Sequence, residues 1–319
     1  MQAAVVSDGE VRVEERADPE PGAGEVLVRV RAAGINGADL LQRKGAYPAP
    51  PGSPADIPGL ELAGEVAALG PGAGRFGEGD RVMAIVGGGG QAELAVVHER
   101  QLMPVPAGLA WPEAGGTPEV FTTAHDALFT QAGLGTGERL LVHGAAGGVG
   151  TAAVQLAAAA GARVTATVRD PAARDGVHEL GAHEVLEPDG FAEHGPFDVV
   201  LELVGAPNLP GDLTALATGG RIVVIGVGAG AKAELNLLAL MGKRARDMAS
   251  TLRARPLEEK AATARAMERH VLPLLDAGRL RVPVAATYPL TAVHEAYERF
   301  AAGAKLGKIV IELGPRTLD

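Results

Sequence analysis

Three glycines spaced three apart, Gly144, Gly147 and Gly150, lie between an apolar run, Leu140 to Val142, and a helical pattern, Val149 to Ala160. Glycine carries no Cβ, so a strand that turns into a helix here presents bare backbone at the helix start. Unsatisfied N–H groups and the helix dipole at that point favour an anion, and a pyrophosphate suits both. The chemistry is that of a dinucleotide-binding turn built from Gly144, Ala146, Gly147, Gly148, Val149 and Gly150. The spacing is Gly-x-x-Gly-x-x-Gly rather than Gly-x-Gly-x-x-Gly, and a chain with 45 glycines offers a competing reading, a packing turn. A strand before and a helix after decide for the nucleotide.

The next strand bears on which nucleotide. In NAD-preferring folds of this kind an acid closes that strand and holds the ribose 2′-hydroxyl. Here it reads Val164-Thr-Ala-Thr-Val-Arg-Asp170, with Val168 at the acid position and Arg169 directly after it. A guanidinium pairs with a 2′-phosphate that a carboxylate would repel, which points to NADPH. A slip of one residue would bring Asp170 to the ribose instead; the competing role for Asp170 is to N-cap a helix starting at Pro171. Lys308 is a second, weaker candidate for the phosphate, set against an ordinary strand-end lysine. Gly205 and Gly226 close apolar strands where backbone can approach a cofactor.

These groups need a frame, and the chain changes character near residue 118. Before it, short alternating runs such as Glu25 to Arg31 and Arg81 to Val86 read as strands separated by turn clusters. After it, strands and helices alternate: Leu140–His143, Gly150–Ala160, Arg163–Val168, Asp175–Leu180, Glu184–Leu186, Val199–Leu203, Leu213–Ala217 and Arg221–Ile225. That alternation predicts right-handed βαβ units and a doubly wound parallel sheet, a Rossmann α/β fold. Glycines at 161, 181 and 219–220 fall where helices should end. With 319 residues two domains are expected. A final helix-rich piece follows Pro256, and Lys308 to Glu312 closes the chain as a strand. The segment Arg244 to Leu252 reads as an edge strand, and an exposed edge predicts a homodimer.

Composition excludes several roles. A net charge of −10 argues against nucleic acid or an anionic membrane as partner. No apolar run is long enough to span a bilayer, and Asp8, Glu10 and Arg12 interrupt any signal sequence, so a cytoplasmic enzyme is expected. With no cysteine, disulfides, thiolate zinc sites and cysteine nucleophiles are impossible.

Several segments occur in a familiar order: Ala33-Gly-Ile-Asn-Gly-Ala-Asp39, Gly45-Ala-Tyr-Pro48, Pro58-Gly-Leu-Glu-Leu-Ala-Gly64 and Gly77-Glu-Gly-Asp-Arg-Val82. Gly89-Gly-Gln-Ala92, Pro118-Glu-Val-Phe-Thr-Thr-Ala124, the glycine turn and Gly307-Lys-Ile-Val310 follow. Together they resemble the zeta-crystallin-like quinone oxidoreductases, a zinc-free branch of the medium-chain dehydrogenase/reductase superfamily. The resemblance implies a split, partly β-barrel, GroES-like catalytic domain, residues 1–118 with 254–319, into which the Rossmann dinucleotide domain, residues 119–253, is inserted, with NADPH in the cleft between them. It places Asn36 as an amide lining the nicotinamide pocket, Tyr47 on the substrate side and Thr123 at the nicotinamide end of the cofactor. It leaves Glu61 and His125 with structural roles, Glu61 alternatively one behind the cleft lining. Zinc alcohol dehydrogenases of the superfamily have Cys where this chain has Asn36, His where it has Leu60, and a third ligand at or near Glu119. An amide and a leucine cannot supply two ligands, so no metal is expected. Without a Lewis acid the acceptor must already be electrophilic, a quinone or an α,β-unsaturated carbonyl. Two alternatives to quinone reduction stay open: reduction of enoyl-CoA or alkenals, and a non-catalytic NADPH sensor.

Overall fold

The computed structural model describes residues 1–314 and divides the chain into two compact units. One comprises residues 1–122, 252–303 and 308–314; the other comprises 123–251 with a short return at 304–307. The division falls inside the helix Pro118–His125, four residues beyond the break expected from composition. None of the described helices is long and apolar enough to cross a membrane.

In the second unit, six strands run parallel in the order Glu184–Leu186, Arg163–Thr167, Arg139–Val142, Phe197–Glu202, Leu216–Val224, Arg246–Ala249. Counted along the chain the order is 3-2-1-4-5-6, the doubly wound Rossmann arrangement. Its direction reverses between the first and fourth strands, where such sheets take their ligands. Leu140, Leu141, Val142, Val199, Val200 and Leu201 are fully buried, because a parallel sheet covered on both faces must be apolar throughout.

Gly161 and Gly181 take positive φ after the helices Gly148–Ala159 and Arg174–Glu179, as C-caps do. Gly219 and Gly220 do not act this way. The helix Leu209–Ala215 starts early, with a proline in its first turn, and ends before them. Both glycines lie in the following strand, where pairing jumps from Phe197–Leu216 to Val199–Arg221. The four intervening residues bulge outward, and Gly219 at φ +83° makes the bulge possible.

The first unit is built on a mixed seven-stranded sheet with an antiparallel centre. Strand Glu25–Gly34 lies at its middle, flanked by Glu61–Leu69 and by Lys308–Glu312. Val26, Val28, Val30, Leu62, Ile309 and Ile311 form its core with the helix Val293–Ala301, which contributes Val293, Ala296 and Tyr297. Pairing of Gly34 with Val310 brings Lys308 back to the start of the helix Gly37–Arg43.

Candidate functional site

The glycine turn of the second unit is assembled as its spacing predicts. Gly144 holds φ +62° beyond the strand, Gly147 is the extended N-cap, and the helix runs from Gly148. A Cβ on Gly150 would lie 2.6 Å from the Gly144 carbonyl oxygen and 2.6 Å from Ala145 Cα, so glycine is required for the helix to pack onto its own turn. A Cβ on Gly147 would meet only the Gly144 carbonyl, at 3.3 Å. Ala146 faces inward through its carbonyl, which accepts from Gly307 N–H at 2.8 Å. Gly148, Val149 and Gly150 lie in a first turn that contains no acid, and their N–H groups have no intrahelical acceptor. This is a cradle for an anion. Gly205, at φ +122°, and Gly226 are demanded locally as well: a Cβ would come within 2.6 Å of Gly230 O and 2.2 Å of Leu203 O.

After the adjacent strand, Val168 is buried and Arg169 is exposed. Asp170 caps the short helix Pro171–Ala173, its carboxylate accepting from Ala172 N–H at 3.1 Å. The cap that the Asp-Pro sequence offers is therefore formed. A second guanidinium, Arg174, donates to the Val168 carbonyl at 3.4 Å and to Glu187 at 3.0 Å, a neighbour the sequence did not single out.

The first unit contains a buried polar knot centred on Lys308. Its Nζ donates to Ile35 O at 2.9 Å and Asn36 Oδ1 at 2.7 Å, and pairs with Glu61 Oε1 at 2.6 Å. All three ammonium protons are therefore committed, and the side chain is 97% shielded. Lys308 is not a phosphate ligand, contrary to the sequence expectation, because folding sinks its strand end into this knot. Asn36 Nδ2 donates to Glu61 Oε1 at 2.9 Å, and Glu61 Oε2 accepts from Glu119 N–H at 2.8 Å. Glycine at 34 makes room, since a Cβ there would lie 2.2 Å from Glu61 Oε1. These residues do not fit a zinc ion. Leu60 is buried and apolar, the Asn36 amide is saturated at both ends, and an ammonium already neutralises Glu61.

Asp39 lies beside this knot, fully buried, accepting from Asn36 N–H at 2.8 Å and Gly59 N–H at 3.1 Å. Burial pushes its carboxyl up to about 6, against the pull of both N–H groups and Lys308. Tyr47 belongs to the same unit and is half-buried. The Arg253 guanidinium lies 5.0 Å from its ring centre and donates to Tyr47 O at 2.9 Å, Gly87 O at 2.8 Å and Gln42 Oε1 at 2.6 Å. One buried arginine thereby ties three segments around Tyr47. Burial raises the phenol and lowers the guanidinium, each opposing loss of hydration. Asn36 and Tyr47 thus share a unit, while Thr123, buried in the Pro118–His125 helix, begins the other. His125 is buried too, its ring 5.3 Å from that of Phe129. Glu61 and Arg253 carry more of the geometry than their sequence signals suggested. A charge inside the Leu60–Leu62 apolar run was the available clue for Glu61; Arg253 offered none.

Comparison with known proteins places the chain among dehydrogenase relatives. Residues 22–107 match the alcohol dehydrogenase GroES-like domain, and residues 148–269 match the zinc-binding dehydrogenase family. The quinone oxidoreductase of Homo sapiens is 32% identical over 306 residues, 92% of this chain and 91% of that protein. The spectinabilin polyketide synthase system protein NorB of Streptomyces orinoci is 34% identical over 309 residues, 92% of this chain but 13% of its own length. A crystal structure of an alcohol dehydrogenase superfamily protein from Novosphingobium aromaticivorans superposes with a TM-score of 0.86 at 30% identity, covering 98% of this chain and 100% of that one.

The Asp39 carboxyl makes a prediction about pH. In the unfolded chain it ionises near its ordinary 3.8, whereas in the folded chain it holds its proton to about 6. Stability from this group is complete below pH 4 and is lost as the pH rises through 6, by about 3 kcal/mol in all. Urea unfolding of the native protein should therefore show a decline between pH 4 and 6.5 that Asp39→Asn lacks. Equal pH slopes for the two proteins would refute the assignment.

Proposed function

We propose that this chain, which belongs to the zeta-crystallin-like quinone oxidoreductase branch of the medium-chain dehydrogenase/reductase superfamily, transfers reducing equivalents from NADPH to a quinone. The observation that carries the reading is 32% identity with a quinone oxidoreductase over 92% of a chain whose zinc-ligand positions hold Asn36 and Leu60. Membership in the superfamily makes it an oxidoreductase with a nicotinamide cofactor; the choice of NADPH rests on Arg169.

In this reading the first-turn N–H groups of Gly148, Val149 and Gly150 bind the pyrophosphate. Arg169, exposed and adjacent to a valine where an acid would repel phosphate, pairs with the 2′-phosphate. Bound NADPH supplies the reducing equivalents. Tyr47 offers a ring on which a quinone stacks, held by Arg253, and its hydroxyl stays protonated at neutral pH. Asn36 is the amide of the substrate side and Thr123 the hydroxyl of the cofactor side. Asn36 can orient a partner only weakly, since Glu61 and Lys308 occupy its polar ends. The reduced oxygen can take its proton from water, so no fixed acid is needed.

The likeness to a polyketide synthase segment favours a second reading, NADPH-dependent reduction of an enoyl thioester or alkenal. A purely sensory role is disfavoured by the retention of Asn36, Tyr47 and Thr123 together. For the assembly we propose a homodimer of the second unit. Its sheet ends on the strand Arg246–Ala249, and the nearby helix Leu237–Lys243 exposes Leu237, Leu238 and Met241. A large exposed apolar patch beside an open sheet edge invites a second copy.

Turnover tests the activity directly. NADPH oxidation should be fast with ortho- or para-quinones, absent with primary alcohols and unchanged by a chelator; enone reduction far exceeding quinone reduction would hand the assignment to the second reading. Arg169→Ala should weaken NADPH binding by about 1.5–3 kcal/mol and leave NADH binding almost untouched. Equal losses for both would detach Arg169 from the 2′-phosphate. Light scattering at micromolar concentration should give twice the chain mass, and Leu238→Glu with Met241→Glu should halve it; a monomeric native protein would end the dimer proposal.

A further inference from the structure

Beneath the nucleotide turns lies a buried polar row that the proposed chemistry does not use. Strands Arg163–Thr167, Arg139–Val142 and Phe197–Glu202 are neighbours, with Val142 paired to both Ala166 and Leu201. One residue further along each strand are Thr167, His143 and Glu202, side by side where the three strands give way to turns. His143 Nδ1 is 2.9 Å from Thr167 Oγ1, and His143 Nε2 is 2.8 Å from Asp212 Oδ1, which the helix Leu209–Ala215 supplies. Glu202 Oε1 accepts from the N–H groups of Val204 and Gly205. Its Oε2, and Oδ2 of Asp212, have no hydrogen-bond partner, although both residues are at least 99% buried. One donor or acceptor atom from each of His143, Glu202 and Asp212 lies within 4.8 Å of the other two.

Two buried acceptor oxygens in one cluster cannot both stay bare; each would keep the full cost of its lost hydration. A single proton resolves both. We propose that Glu202 is a positioning residue that works as a neutral acid, its Oε2–H directed to Asp212 so that Thr167, His143, Asp212 and Glu202 form one continuous chain. Burial pushes the Glu202 carboxyl up and Asp212 adds to the effect, while His143 and the Val204 and Gly205 N–H groups pull the other way. Asp247, on the strand Arg246–Ala249, is itself raised by partial burial and by the charge of Asp212. A dry site is where a carboxylic acid keeps its proton at neutral pH.

The chain spans the three turns on which a dinucleotide would rest. Thr167 immediately precedes Val168 and Arg169, His143 precedes Gly144, and Glu202 fixes Val204 and Gly205 through its other oxygen. Ala145 N–H, donating to Thr167 O at 3.2 Å, ties the first two turns again through backbone. Glu202 thus sets the turns relative to one another without touching the ligand. This rests on the proposed nucleotide site.

Glutamine has the shape of a protonated glutamate, with an acceptor for Val204 and Gly205 and a donor for Asp212. NADPH dissociation constants of the full chain should therefore stay within about threefold for Glu202→Gln and rise roughly tenfold or more for Glu202→Leu, which strands two N–H groups. Infrared difference spectra of the native protein at pH 8 should show an un-ionised carboxyl that Glu202→Gln lacks. Glu202→Gln binding NADPH as poorly as Glu202→Leu, or no such carboxyl at pH 8, would overturn the proposal. So would a divalent ion, one per chain by elemental analysis, that both variants lose. A native protein that failed to bind NADPH would instead defeat the nucleotide reading, and the infrared band would still decide on the proton.

Discussion

Parallel strands all end at the same edge, and that constraint organises the second unit. Their carboxyl ends release several turns side by side, and backbone N–H groups of those turns are the donors a phosphate needs. Close crowding of turns has a cost in side chains. Gly150 cannot carry a Cβ against Gly144 and Ala145, nor Gly226 against Leu203 O, nor Gly205 against Gly230 O. Glycine at these positions is thus set first by turns packing on one another. Gly147, the N-cap of the helix, is less crowded, a Cβ there meeting the Gly144 carbonyl at 3.3 Å.

The first unit meets a different problem, a carboxylate held in its core. Glu61 is fully buried, and an isolated charge there would be prohibitive. Lys308 neutralises it, and Asn36 and the Glu119 N–H satisfy what remains. A pair so enclosed is weak evidence of net stability, because desolvation offsets most of its attraction. Its effect is positional. Removing either partner would leave the other charged and unmatched, so the strand end at 308, the helix start at 36 and the strand start at 61 are held in one arrangement.

The elements that sequence revealed best were those whose signals are local. The glycine turn, the alternation of strands and helices after residue 118 and the cap at Asp170 all depend on neighbours within a few residues. The Lys308 strand was placed correctly along the chain, yet its side chain was assigned to a phosphate. Nothing near Lys308 in sequence shows that antiparallel pairing of Val310 with Gly34 delivers it to Asn36 and Glu61, 272 and 247 positions away. Gly219 misled for a similar reason, since a glycine after a helix pattern and a glycine in a bulge look alike until the strand opposite is known. Arg253 and the His143–Glu202–Asp212 group likewise emerge only when distant segments meet.

The two buried clusters bear on chemistry in complementary ways. In the first unit an ammonium stands beside the amide that replaces a zinc ligand, and it cannot accept an electron pair from a carbonyl as a metal would. Its protons are already committed to Ile35, Asn36 and Glu61, so it cannot polarise an acceptor by hydrogen bonding either. On the proposed reading, activation then comes from the substrate itself, and the protein contributes position. Position is what the proposed Glu202 chain would supply, by fixing the turns assigned to the nucleotide. A scaffold that orients without activating selects acceptors by electrophilicity more than by shape, which suits a family whose relatives carry quinone reduction and polyketide synthesis in their names.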